Sequence, residues 1–157
     1  MASSRWGAIQ GLVARLQAIT IAGGYQHNLN GLEQVTSGVL SRSMRMENPH
    51  DLQLQVQEGQ EEHGPLIVSP HNPRKATLEL MVDCMLRGGR DEAPRSRLNK
   101  LLEDINLAVG TDPTLGGAVQ HARVARVDRP QYDPAGRISW VIVRLVVDYD
   151  YTAGTTT

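Results

Sequence analysis

The chain has no phenylalanine, one cysteine, only two lysines (Lys75 and Lys100) and almost no net charge. Each shortage excludes something. Without Phe the core must be built from Val, Leu, Ile, Met and Ala, with Trp6 and Trp140 as the large pieces. A lone Cys84 excludes an intramolecular disulfide and fits a reducing compartment. No apolar run approaches the roughly 20 residues that a spanning helix needs. The N-terminus lacks the basic region and apolar stretch of a secretory signal. A soluble chain with no membrane partner is expected. Sixteen basic residues against seventeen acidic ones leave no overall field to draw nucleic acid, so no sequence-specific nucleic-acid partner is expected.

What is present is a chain of 157 residues, read as one domain over 1–157 with its own core. Its cations are nearly all arginine. Arginine suits protein interfaces because its planar fork pairs with carboxylates and stacks on apolar surface; a GC-rich genome would produce the same bias.

Ile9, Leu12, Val13, Leu16 and Ile19 fall at helical spacing between Ser4 and Ile19. Ser3 or Ser4 is placed to cap the start, and Gly23-Gly24 to stop the helix. A turn-rich passage from Tyr25 to Leu29 leads to a weak strand signal around Val35 to Met46. The middle, about 42–74, is polar and irregular and reads as a loop or arm. Within it Leu52, Leu54 and Val56 alternate with Gln53, Gln55 and Gln57, the pattern of a short half-buried strand with a glutamine face. Gly59 to Gly64 reads as a loop and Leu66 to Val68 as a short strand. Ser69 to Arg74 reads as a turn or arm, since Pro70 and Pro73 interrupt ladder bonding.

The clearest strand follows. Ala76, Leu78, Leu80, Val82, Cys84 and Leu86 share one face; Thr77, Glu79, Met81, Asp83 and Met85 share the other. Gly88-Gly89 ends it. Asp91 and Glu92 then precede Pro94 at the start of a second helix. Its stripe is Leu98, Leu101, Leu102, Ile105, Ala108 and Val109, with Gly110 as the stop. Strands at about 118–128 and 137–149 are separated by a turn-forming loop, Arg129 to Gly136. The last has apolar residues on both faces and reads as central and covered on both sides. Residues 152–157 read as a flexible tail. This order predicts an α+β domain: a single antiparallel or mixed sheet of about four to six strands with two main helices packed on one face.

No chemistry stands out. His27, His50, His63, His71 and His121 are scattered rather than at metal-ligand spacing. Cys84 lies on an apolar strand face, where a thiol acts as a small hydrophobe. The glycine pairs lack the Lys-Ser/Thr of a phosphate loop. Glu61-Glu62 and Asp91-Glu92 read as solvated. No cofactor, metal or catalytic residue is expected. Met81, Met85 and the glutamine face suit contact with another protein, or equally a place under a helix of the same subunit.

The run Leu98-Asn99-Lys100-Leu101-Leu102-Glu103-Asp104-Ile105, followed by Asp112-Pro113-Thr114-Leu115-Gly116-Gly117, resembles the tail terminator (tail completion, or minor tail) proteins of long-tailed bacteriophages. So do the strand Arg123 to Val127 and the closing Trp140 to Tyr151. The N-terminal helix leading to Gly24-Tyr25 is similar in character. The resemblance covers roughly 5–30 and 76–151 and leaves 42–74 unmatched.

The resemblance implies a virion structural protein. Its subunits would form a homohexameric ring on the head-proximal end of the tail tube, stop tube growth and offer the head-joining surface. Partners would be further copies of itself, the tail tube protein, the head–tail connector or stopper and, in a contractile tail, the sheath. DNA would pass through the ring, and assembly would take place in the host cytoplasm. Alternatives are a head-side neck protein (a stopper or head-completion factor), a small metal-dependent hydrolase using the mid-chain histidines, and a monomeric module pairing a peptide with its glutamine strand. The strand 76–87 and the arm 69–74 are the expected contact segments. Arg74, Arg87, Arg90, Glu79, Asp83 and Asp91 are the expected polar partners, with Met81 and Met85 beside them.

Overall fold

The computed structural model describes residues 5–37, 51–63, 73–87, 94–132 and 137–152. Among these residues two α-helices, a single 3-10 turn (Ile21–Gly23) and six strands follow one another: α1 Arg5–Gln17, β1 Val35–Ser37, β2 Leu52–His63, β3 Pro73–Arg87, α2 Pro94–Thr111, β4 His121–Val127, β5 Gln131–Tyr132 and β6 Ile138–Thr152. The strands form one mixed sheet in the order β1-β2-β3-β6-β4, with β5 also on β6. Only β1 and β2 are parallel. The fold is α+β with a single sheet, as the patterning predicts.

Period-two alternation places the sheet's two faces. The even residues of β3 pair with the odd residues of β6, Leu78 with Val147, Leu80 with Leu145 and Val82 with Val143. Joined by Leu54 and Val56 of β2 and Ala122 of β4, they make a continuous apolar surface. Both helices supply the other half of that core. Ala8, Ile9, Leu12 and Leu16 come from α1; Leu98, Leu101, Ile105, Ala108 and Val109 come from α2.

The helices are locked together by polar and steric contacts. Arg15 of α1 donates from Nε to the Ala108 carbonyl of α2 at 2.8 Å and from its fork to the Tyr25 hydroxyl at 3.0 Å. Gly11 sits so close to the turn after α2 that a Cβ there would lie 2.7 Å from Ala118 Cβ.

That turn is the Asp-Pro-Thr-Leu-Gly-Gly segment. Leu115, Gly116 and Gly117 are three successive residues at positive φ (51°, 72° and 87°), a run that only glycine tolerates freely. The Asp112 carboxylate closes it, accepting from Thr114 Oγ1 at 2.9 Å and Gly116 N at 2.8 Å. Those two bonds hold its pKa below the ordinary carboxylate range. The left-handed Leu115 is thereby turned into the core, where it is buried.

Several expectations need correction. Gly59 to His63 is not a loop: β2 runs twelve residues and accommodates Gly59 with a bulge between Glu58 and Glu61. Gly59 lies over Glu79, where a Cβ would come within 3.1 Å. The start of β2 is not half-buried but buried on both faces, Gln53 and Gln55 included, and Met85 is buried as well, so these side chains offer no surface to another protein. Pro73 and Arg74 open β3 rather than belonging to an arm. Pro73 opens the strand, a place where a missing N–H is tolerated.

The second face of β6 is not covered: Trp140 is exposed, and Ile142, Arg144 and Val146 are half-buried. Gly110 does not stop α2, which ends at Thr111, and a short β5 forms inside the expected Arg129–Gly136 loop. Thr152 belongs to β6. The proposed strands over 38–46 and 66–68 lie outside the described residues.

Candidate assembly surface

The side chains with chemistry to offer gather on the sheet face away from the helices. They come from the odd residues of β3, the even residues of β6 and their neighbours in β2 and β4. The centre of this face is Arg144, an arginine inside the apolar run from Val141 to Val147. Burying it among hydrophobes requires partners for its fork. It finds them on both sides: Asp128 after β4 at 3.0 and 3.1 Å, and Glu79 of β3 at 2.7 Å. Arg126 also reaches Asp128, at 3.1 Å. The hydrogen bond from Arg144 and its positive charge hold the Asp128 carboxyl below its usual range, and the same pairing raises the guanidinium.

Next to this network Asp83 accepts from Gln57 Nε2 at 2.6 Å. Burial raises its pKa, and the attraction of Arg144 and the glutamine bond only partly offset that. A cleft of about 260 Å³ opens beside it, lined by Asp83, Asp128, Arg129, Gln131, Trp140 and Ile142. Farther along, Thr77 donates to Asp148 at 2.9 Å.

A second polar cluster caps the apolar face at the far end of β2. Arg5 of α1 meets Glu58 at 2.6 Å and Glu61 at 3.8 Å. Glu61 also receives the Tyr149 hydroxyl and lies 3.1 Å from His63. Burial pushes the Glu61 carboxyl up, but the Tyr149 and His63 bonds and the Arg5 charge outweigh it, leaving the pKa lowered.

A third ties the loop after α1 to α2. Asp104, almost fully buried, accepts from Gln26 N at 3.0 and 3.1 Å and lies 3.0 Å from His27 Nδ1. His27 is therefore a structural clasp.

The expected contact residues divide accordingly. Glu79, Met81 and Asp83 stand together on the outer face. Glu79 and Asp83 are already engaged within the chain, and Met81 Sδ lies 3.3 Å from the Arg144 fork. Met85 is buried, and Arg87 ends β3, its carbonyl accepting from Arg97. Arg74 pairs by backbone register with Tyr151. Arg90 and Asp91 lie outside the described residues.

The sequence pattern did not bring out Arg144, Asp128 or Trp140, whereas Gln57 belongs to the glutamine face already expected to make contacts. A charged residue midway along an apolar central strand was the available signal for Arg144, because such a residue demands carboxylates on the adjacent strands. Cys84 is buried in the core and its thiol is pushed far up by burial, so it is no nucleophile at neutral pH. Among the described residues no group of three His, Cys, Asp or Glu could hold a metal ion.

No family model and no curated protein matches the chain. Solved structures do. A chain from an extracellular contractile injection system, in the structure of the PVC sheath/tube terminator in its extended state, superposes with a TM-score of 0.56 at 10% identity. The match covers 100% of this chain and 62% of that one. This chain thus spans less than two thirds of that neighbour's length. A chain of the virion of a native gene transfer agent particle aligns with a TM-score of 0.48 at 10% identity, over 92% of this chain and 98% of that one. At such identity the likeness to the injection-system chain is one of fold, and the fold is one that occurs in a sheath/tube terminator assembly.

Proposed function

We propose that the chain is a tail-terminator subunit. Its copies form a ring that caps the head-proximal end of a tail tube, stops tube growth and offers the surface to which the head connector joins. The observation that supports this reading is the superposition of the whole of this chain on 62% of a chain from a sheath/tube terminator structure. Its support within the molecule is the outer sheet face. There a rigid, internally paired charge network surrounds the exposed Trp140 and a shallow cleft, features suited to holding a partner in register. The work is binding. Tube, connector and, in a contractile tail, sheath are the partners, and the protein resides in the virion tail or neck.

Light scattering after gel filtration, with negative-stain images, tests the ring; sedimentation with purified tail tubes and with connectors tests the partners separately. A hexameric ring that binds tube ends is the expected result. A monomer at every concentration that binds no tubes overturns the reading. Binding to connectors alone would make the protein a head-side stopper.

A further inference from the structure

In a regular strand Arg123 and Arg126, three positions apart, would stand on opposite faces, and Arg126 would share the core side with Val124. The register of β4 is different. Arg123 pairs with Val146 and Val124 with Leu145; the ladder then passes over Ala125, and Arg126 pairs with Arg144. This bulge turns Arg126 to the outer face beside Arg123, while Val124 packs against the core. Arg129 follows just beyond the strand and lines the cleft beside Trp140. All three arginines are exposed.

Keeping Arg126 out of the core accounts for the bulge, and Arg126 meets Asp128 at 3.1 Å. It does not account for the other two. Among the described residues no carboxylate lies within ion-pair distance of Arg123 or Arg129. The nearby carboxylates are engaged elsewhere: Glu79 and Asp128 by Arg144, Asp83 by Gln57 and Asp148 by Thr77. Two surplus positive charges are left, separated by at most about 20 Å of extended chain.

Apolar surface lies beside them. Ile142 and Val146 of β6 are half-buried, Trp140 is 38% exposed, and the cleft of about 260 Å³ runs between Trp140, Ile142 and Arg129. Exposed tryptophan together with arginine is the composition of binding hot spots.

The charges also select the kind of partner. Arginine forks take carboxylate or phosphate. A nucleic-acid strand offers an unbroken row of phosphates, which would have to pass Asp83 and Asp128, the two carboxylates that line the same cleft. A protein segment can place separate carboxylates at the two arginines and an apolar side chain at the cleft.

We propose that the β4 side of the outer face docks an acidic segment of a partner protein, whose carboxylates pair with Arg123 and Arg129 and whose apolar side chain enters the cleft against Trp140 and Ile142. The contact rests on exposed charges, so it weakens as salt rises. It goes beyond the ring reading and does not depend on it.

Trp6→Phe leaves Trp140 as the sole tryptophan, so that its emission reports on the cleft. The probe is a short synthetic peptide of alternating glutamate and threonine with a central leucine. Its glutamine counterpart and an oligothymidylate of equal charge are the controls. At low salt the acidic peptide is expected to bind saturably and shift the Trp140 emission, and the glutamine peptide to bind at least about tenfold more weakly. Arg123→Glu with Arg129→Glu should weaken the acidic peptide by about tenfold or more, and a lysine peptide should bind that double variant more tightly than it binds wild type. Such an exchange of preference separates charge recognition from a folding defect, which would abolish both. No binding of the acidic peptide by wild type, equal binding of the glutamine peptide, or a double variant that binds the acidic peptide as wild type does overturns the assignment. Tighter binding of the oligothymidylate than of the acidic peptide overturns it in favour of a nucleic-acid surface. A failure to form rings or to bind tubes bears on the ring reading alone.

Discussion

The two faces of one sheet, built from the same strands, solve opposite problems. On the helix-covered face every second residue of β3 and β6 is apolar and buried, from Ala76 to Leu86 and from Val141 to Tyr149. On the outer face the intervening residues are Thr77, Glu79, Met81 and Asp83 of β3, with Ile142, Arg144, Val146 and Asp148 of β6, mostly half-buried. The first face is held by area removed from water, which depends on no titrating group. The second is held by directional bonds that keep charges fixed and available. A protein whose work is assembly needs the first to be stable and the second to be legible to a partner.

The sharpest break in this comparison comes from neighbouring residues of β3. Leu80→Ala should lose about 2–5 kcal/mol, since Leu80 is fully buried and leaves a cavity under the helices. Met81→Ala, one residue along but on the outer face, should lose less than about 1 kcal/mol. Urea unfolding of the pair decides it; equal losses would mean that the outer face is packed as tightly as the core. Arg144→Ala should follow at about 1–2 kcal/mol, because it leaves Glu79 and Asp128 facing each other without their shared cation in a half-buried site.

Gly11→Ala tests how closely the helical layer fits the Asp112–Gly117 turn. A helix gains about 1 kcal/mol when Ala replaces Gly. The new Cβ, however, would overlap Ala118 and crowd the Leu115 carbonyl, a strain of about 1–3 kcal/mol. Thermal melting should therefore show a net loss of order 1 kcal/mol; a gain would mean that the turn yields easily.

The smallest effects separate two carboxylates by the sign of their pH dependence. Glu61 has a lowered pKa, so its contribution is present above the ordinary carboxylate range and fades as pH falls through the folded value. Glu61→Gln should lose about 1 kcal/mol near pH 7 and progressively less in acid. Asp83 has a raised pKa, so its ionised form opposes folding above the ordinary range, and that opposition is relieved as pH falls through the folded value. Asp83→Asn should be neutral or slightly stabilising near pH 7, by less than about 1 kcal/mol, with the difference vanishing towards pH 4. Unfolding curves at the two pH values should move in opposite directions for the two variants.

Local pattern was enough to place most of the secondary structure. Strict alternation over Ala76 to Leu86 marked β3 and its inner face, and the 98–109 stripe marked α2, because both periodicities are properties of a short stretch of backbone. It failed where a partner strand overrides local preference. Gly59 looked like a loop residue, yet β2 runs through it because β3 lies alongside and a bulge absorbs the irregularity. Gln53 and Gln55 suited a contact face of a half-buried strand and are fully buried; Met85 looked exposed and is buried too. The candidate surface was half legible. Glu79, Met81 and Asp83 follow from alternation in one strand, but their partners Arg144, Asp128 and Gln57 come from elements up to 65 residues away in the chain.

By itself, the sequence determined where the helices lie and which residues of β3 and α2 turn inward, since each depends on neighbours within a few positions. Strand order was decided only by the tertiary structure, and with it everything that assembly would use. Setting β6 between β3 and β4 brings Arg144 between Glu79 and Asp128. No local pattern encodes that charge network, because it arises from which strands become neighbours.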